Sequence, residues 1–442
     1  MASEITAGAP PADDPQHRAT DNTDSSGRLL SADGTPLRDA LRKSQKAARR
    51  RAFMLVLPLL LFLCLVFFVP ILGMVTTSFL NPEVRDAFPA TAEAIAEWDG
   101  ESLPPEPVFA AIAADIERER ALPRQEQKIG TAAQRLNREL PGARSTILRT
   151  ARDVEEWDPP YREKFLEADE AWGSEELWTL LNRETRVITP AYYLLALDYT
   201  YDKQGEIVKK PERQQVYVQK NWFTIWMNVL ITGACIVLAY PISYLLATLP
   251  ARKANLLLIL VLLPFWTSLL VRTSAWIVLL QGQGVLNDIF VWLGLVDDRD
   301  RLRMIYNAFG TFIAMVHILL PFMVLPLYSV MKTIPPSYLR AAKSLGAHPF
   351  RAWWRVYFPL TLPGLGAGCI LVFILGIGYY ITPALVGGAT GIFISNLIAD
   401  GIQSGGANAR LAAALATMLL VGVLVIYWVF NKLVGVDKLK FG

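Results

Sequence analysis

Long apolar runs alternate with polar stretches along this chain, and the runs are too long for the helices of a soluble core. Six of them reach the roughly 20 residues that a helix needs to cross the hydrocarbon layer: 53–77, 222–247, 256–280, 308–330, 365–386 and 411–430. Each is apolar around most of its circumference instead of along one stripe, which predicts transmembrane helices. Pro58, Pro241, Pro264, Pro321 and Pro383 fall inside these runs. Membrane helices tolerate proline where neighbours satisfy the freed backbone groups. The first run is longer than a signal-peptide core and follows a polar stretch, so it is expected to be retained.

Two segments lie outside this pattern. Residues 1–50 are rich in Asp, Ser, Gly, Pro and Ala without periodicity and read as a disordered cytoplasmic tail. Residues 81–221 form a long insertion between the first two spans. PVFAAIAADIERERAL, TAAQRLNREL and TILRTARDVEEW have helical spacing there, whereas GEIVKKPERQQVYVQK is more strand-like. The insertion holds 27 acids and 19 bases. That surplus would attract a cation at long range, although a solvated helical surface explains it more simply. No cysteine staples it, so a modest core of its own or a partner must hold it. The expected architecture is an all-α membrane protein: a six-helix transmembrane bundle with a large, mostly helical extracytoplasmic insertion between helices 1 and 2. The chain divides into a tail (1–50), a first helix (53–78), the insertion (81–221), a five-helix core (222–432) with a loop at 335–360, and a C-terminal tail (433–442).

Charge orients the bundle, because cytoplasmic flanks collect Lys and Arg. Arg42, Lys43, Lys46, Arg49, Arg50 and Arg51 precede the first span and place the N-terminus inside. Six spans return the C-terminus, with Lys432, Lys438 and Lys440, to the same side. After residue 222 the internal stretches hold ten bases and one acid, the external ones five of each.

Composition agrees with a membrane protein: 53% hydrophobic residues, 19% charged and a mean hydropathy of +0.31. Cys64, Cys235 and Cys369 all lie in apolar runs and suggest no disulfide framework. His17, His317 and His348 are scattered, so no metal site and no cofactor is expected; His317 reads as a hydrogen-bonded residue of the bundle interior. The chain has no phosphate-binding loop of the G-x-x-x-x-G-K-[ST] kind, so it is not expected to hydrolyse ATP. No nucleophile–base pair suggests an enzyme, and nothing calls for nucleic acid.

The longest internal loop reads PPSYLRAAKSLGAHPFRAWWRVYFPLTLPG. Ala341 and Ala342 are good helix formers with small side chains, and Gly346 is placed to end a short helix with positive φ. Arg351, Trp353, Trp354 and Arg355 follow as an interfacial anchor. An ordinary basic helix on the membrane surface is the plainer alternative. The loop resembles the conserved cytoplasmic loop of ABC importer permeases: Glu-Ala-Ala, three residues, Gly, nine residues, Ile-x-Leu-Pro. Ala341, Ala342 and Gly346 match; Val356, Phe358 and Pro359 fill the closing positions conservatively; Arg340 replaces the leading Glu. The stretches LPFWTSLLVRTSAWIVLLQGQGVLN, VHILLPFMVLPLYSVM and FPLTLPGLGAGCILVFILGIGYYITPALVGG are similar to the spermidine/putrescine type of these permeases over about 222–432.

That resemblance implies a bacterial inner-membrane protein with both termini cytoplasmic. It implies ABC ATPase subunits, a second permease subunit and an extracytoplasmic solute-binding protein as partners beside the lipid bilayer. The solute would be a polyamine or related amine, and the 335–360 loop would fold as a short helix seated in the ATPase. A secondary transporter would instead need coupling groups at the midplane and an internal repeat, and a membrane-anchored sensor would need a cytoplasmic output domain. None of the six runs contains Asp or Glu. Arg272 is the strongly ionised residue inside a run and so a functional candidate. Trp266, Ser268, Thr273 and Trp276 accompany it, and Tyr379, Tyr380 and Thr382 follow two glycines in the fifth run. Aromatic faces there can hold an ammonium weakly, at about 0.5–2 kcal/mol each.

Overall fold

A long apolar helix is the first feature of the computed structural model, which describes residues 37–100, 102–202 and 205–434. The chain divides into two compact units, 1–73 and 74–442. In the first, the helix Leu37–Leu63 runs through a π-helical turn, Cys64–Phe68, into Val69–Phe79. Its apolar residues are exposed on every side, Leu55 at 82%. Only lipid or another helix can cover such a surface. Of the expected disordered tail, 1–36 lie outside the described residues and the remainder is helical. Residues 435–442 of the expected C-terminal tail also lie outside them.

The second unit begins with a water-type domain. Eight short helices run from Pro82–Ala87 to Ala191–Ala196 and are followed by the hairpin Tyr199–Tyr201/Ile207–Lys209, paired antiparallel with Thr200 opposite Val208. The core is larger than the sequence suggests, with Phe88, Phe109, Phe165, Trp172 and Trp178 fully buried. Their rings meet edge-on or tilted, at 4.7 Å for Phe109–Trp178 and 4.9 Å for Phe165–Trp172. Both indoles are satisfied: Trp172 Nε1 donates to Thr150 Oγ1 at 2.8 Å and Trp178 Nε1 to the Trp172 carbonyl at 2.8 Å.

The acids of this domain have structural work. Three carboxylates on the helix Glu106–Ala121 cap three other helices. Asp115 accepts from Ala90 N and Thr91 N, Glu106 from Tyr161 N and Arg162 N, and Glu119 from Lys128 N and Ile129 N. Negative charge at a helix N-terminus satisfies orphan amides and opposes the helix dipole. Part of the acidity that reads as a diffuse surface field therefore lies within helix junctions.

The domain is tied to the chain on either side. Leu80 and Ile188 form an antiparallel bridge, flanked by Asn81 N donating to Val187 O at 2.8 Å and Thr189 N to Phe79 O at 2.9 Å. Below the bridge lies a buried ionic cluster. Arg135, 2% exposed, reaches Glu184 at 2.8 Å and Glu139 at 2.9 Å, and Arg183 touches both carboxylates. Asn81 Nδ2 also donates to Glu184 at 2.8 Å. Burial by itself would lower the Arg135 pKa, but Glu184 and Glu139 raise it well above the ordinary guanidinium value.

Six helices among the described residues are long and apolar enough to span a membrane: Ala48–Phe79, Tyr217–Thr248, Leu269–Trp292, Ala308–Thr333, Pro349–Gly378 and Gly406–Lys432. Two differ from the sequence reading. The run 256–280 is broken: a helix ends at Leu262, Leu263–Trp266 is a 3-10 turn around Pro264, and Thr267 and Ser268 are extended. An uninterrupted apolar run conceals this, because hydropathy does not register where a proline withdraws a backbone donor. The fifth span begins and ends earlier, and Tyr379 terminates the helix that the sequence carries to 386.

The second, fourth and fifth spans form the centre of the bundle. They pack backbone against backbone: a side-chain carbon on Gly368 would lie 2.6 Å from Met323 Sδ, and one on Gly364 2.8 Å from Val330 Cβ. Between spans, Ser243 Oγ donates to Val324 O at 3.2 Å, a lipid-type glue of small and hydroxyl residues. The inserted domain sits at the Tyr217 and Gly406 end. Asp198 accepts from the amides of Val216, Tyr217 and Val218 at the start of the second span. Glu83 pairs with Arg410 at 2.5 Å. The opposite end, where Thr248, Thr333 and Phe358 lie, carries the short helix Pro336–Ser344.

Candidate functional site

Two prolines start the short helix: Pro335 is extended and Pro336 occupies the first helical turn. Its end is a Schellman turn. Gly346 N donates to Lys343 O at 3.0 Å, Ala347 N to Ala342 O at 3.1 Å, and Gly346 has φ +85°. Only glycine adopts that conformation without strain. His348 then caps Phe350 N, and the chain turns through π-helical Trp353–Tyr357 into the fifth span. Val356 and Pro359 thus belong to the span, and the separate loop helix is shorter than the 335–360 segment.

The two alanines point differently: Ala341 is exposed, while Ala342 is half-buried beside Leu339, which packs on Leu327, Met331 and Tyr357. They do not form one flat face. Arg340, Lys343, Ser344 and Leu345 are exposed, Leu345 at 89%. Among the described residues none of Arg340, Lys343, Arg351 or Arg355 forms an ion pair. Behind the helix, an aromatic clamp joins the loop to the bundle. Trp353 meets Tyr240 at 5.7 Å, Tyr357 meets Tyr244 at 5.4 Å, and Trp354 stacks on Phe358 at 4.9 Å. The rings thus join the start of the fifth span to the second.

The second candidate region lies toward the other end. Thr273 and Thr382 are both buried, with hydroxyls 3.3 Å apart, and Trp276 Nε1 donates to His317 Nδ1 at 3.1 Å. The Arg272 Nε is buried without a hydrogen-bond partner among the described residues. Tyr379 and Tyr380 line a cavity of about 330 Å³ with Leu269, Ile374, Leu375 and Gly378. Their carbonyls, freed by the helix end, accept from Ser395 Oγ at 2.7 Å and Asn396 Nδ2 at 2.8 Å.

Thr273 and Trp276 of the third span thus meet Thr382 and the fourth span's His317. Trp266 is apart, 77% exposed, and Ser268 serves to cap Val271 N. Asn228 escaped the pattern-based reading. Its Oδ1 is buried beside Gly376 without a partner among the described residues, and the signal was one amide in an apolar run. Among the described residues no group of His, Cys, Asp and Glu is arranged to hold a metal ion.

Six spans, a centre packed through small residues and a short helix packed at one end define a multi-pass membrane protein built around a helical bundle. A family model described as "binding-protein-dependent transport system inner membrane component" matches residues 220–434. The chain is 33% identical over 222 residues to the inner membrane ABC transporter permease protein YdcU of Escherichia coli K12, covering 48% of this chain and 70% of that one. It belongs to this family of inner membrane transport components. It is also 40% identical over 172 residues to the spermidine/putrescine transport system permease protein PotB of E. coli K12, covering 39% of this chain and 62% of PotB. The match thus spans less than two thirds of that relative. Among solved structures, a bacterial alginate ABC transporter aligns with 52% of this chain and 81% of its own at 17% identity and a TM-score of 0.41. The MetNI methionine ABC transporter aligns with 49% and 94% at 16% identity and a TM-score of 0.37.

Proposed function

We propose that this chain is a permease subunit of an ATP-driven importer that passes a small polyamine or related amine inward. Separate ATPase subunits, a second permease subunit and an extracytoplasmic solute-binding protein complete the machine. One observation carries the reading: a short helix, stopped by Gly346 and packed through Leu339 on Leu327, Met331 and Tyr357, stands off the end of a family-type bundle. Arg340, Ala341, Ala342 and Gly346 form the part that meets the ATPase, and Val356 and Pro359 begin the span that receives its motion. The similarity to PotB supports the amine solute. Arg272, Thr273, Trp276, Tyr379, Tyr380 and Thr382 offer it weak contacts, with Trp266 and Ser268 at the margin. A bundle interior without carboxylates suits transit better than tight capture of a cation.

Gly346→Val tests the coupling role. A β-branched side chain at positive φ costs about 1–2 kcal/mol, so the short helix loses its stop. In proteoliposomes holding this chain, its partner subunits and the binding protein, uptake of labelled putrescine should fall at least tenfold while membrane insertion is unchanged. Wild-type uptake by the variant would remove the loop from coupling. Competition by sugars or anions but not by spermidine would remove the amine assignment and leave the importer.

In the proposed orientation the inserted domain is extracytoplasmic and the short helix cytoplasmic. Ser102→Cys should react with an impermeant thiol reagent in spheroplasts, and Ser344→Cys only after the membrane is opened, both in a background lacking the natural cysteines. The reverse labelling would invert the topology.

A further inference from the structure

We infer that the surface seated on the Pro336–Ser344 helix is an acidic socket, carboxylates ringing an apolar hole, and that this ATPase chemistry matches Arg340. The inference rests on the reading that an ATPase subunit seats there.

Charge leads to it. Between 331 and 360 the sequence has Lys332, Arg340, Lys343, Arg351 and Arg355 and no acid. Arg340 and Lys343 lie three residues apart on the exposed side of the helix, unpaired among the described residues. A basic partner surface would bring like charges together in a partly desolvated contact, which costs more than an exposed pair returns.

Shape adds the hole. Leu345 is 89% exposed and stands where the left-handed Gly346 reverses the chain, and a side-chain carbon on Gly346 would meet nothing within 4 Å. A large apolar side chain held out by a hydrogen-bonded turn is already ordered, so burying it gains apolar contact at little entropic cost. Ala341 and Ser344 beside it are small and exposed, letting another backbone approach closely.

Anionic lipid is the competing occupant. A helix lying on a membrane turns its apolar side to the acyl chains, but here Leu339 on that side already packs on Leu327, Met331 and Tyr357. The outward side carries Arg340, Ala341 and Ser344, which suits a protein groove.

The test uses the full chain in nanodiscs and its partner ATPase subunit, with association measured by titration. In phosphatidylcholine alone, Arg340→Glu should weaken association at least tenfold, Arg340→Gln about threefold, and Leu345→Asp should abolish it. Raising the salt should weaken the wild type more than Arg340→Gln. A carboxylate-to-lysine change in the ATPase socket that restores Arg340→Glu would identify the acid. If Leu345→Asp abolishes association while Arg340→Glu matches or exceeds wild type, the socket is not acidic, although the helix still seats the ATPase. If neither variant has an effect, the ATPase seats elsewhere and both readings fall. A loss with Arg340→Glu only in discs containing phosphatidylglycerol would make lipid headgroups the occupant and overturn the socket.

Discussion

The inserted domain and the membrane bundle both close a helical interior, with opposite residues. The domain fills its core with Trp172, Trp178, Phe109 and Phe165 and seals its junctions with carboxylates. The bundle closes over Gly364, Gly368, Ala239 and Cys235, with hydroxyls reaching neighbouring carbonyls. The contrast reflects the surrounding solvent. Water rewards removal of large apolar surfaces, whereas lipid tails are as apolar as leucine, so helices in lipid gain from close approach and hydrogen bonds.

The largest effect expected from this comparison lies in the buried ions of the domain. Arg135→Met leaves Glu184 without its strongest partner in a fully buried site, a loss of about 3–5 kcal/mol. Hydrogen exchange across 129–184 should accelerate while the exchange of 308–333 stays unchanged. Adding Glu184→Leu should recover most of the protection, because a well-packed apolar pair replaces the ions. Faster exchange in both regions would mean that the domain and the bundle are one cooperative unit.

A smaller effect is expected in the bundle. Gly368→Val forces the fourth and fifth spans apart at Met323 and should cost about 1–3 kcal/mol by overpacking. In detergent the midpoint for loss of tertiary signal from 308–378 should fall, with the inserted domain unaffected. An unchanged midpoint would mean that these spans are not held by close backbone approach.

The sequence reveals whatever depends on length and apolarity. Spans two, four and six are legible because nothing interrupts them, and the three helices around Phe109, Leu136 and Ile147 show their spacing in water. The break at Pro264 to Ser268 is hidden, since every residue up to Trp266 is compatible with a helix in lipid. The fifth span is displaced because Arg351, Arg355 and Pro359 look like loop residues, yet a π-helical turn packed on Tyr240 and Tyr244 continues the helix through them. At the candidate sites, the turn at Gly346 is legible because glycine has a physical reason to be there. The meeting of Thr273 with Thr382 and of Trp276 with His317 is not, because periodicity does not reveal which faces of separate spans come together. The same limit hides the capping of three helices by one, which composition shows only as an acid surplus.

The bridge between Leu80 and Ile188 has a further consequence for the architecture. Everything from 82 to 187 leaves and rejoins the chain at two neighbouring backbone positions, so the domain is grafted as a turn would be. Loop length alone raises the closure cost only slowly, by about 0.6 kcal/mol per doubling. The membrane scaffold thus has a port at which foreign cargo of almost any size can be spliced, provided its two ends arrive together. Here the ionic cluster under the bridge and the Glu83–Arg410 pair are the latch that fixes the cargo's angle to the bundle.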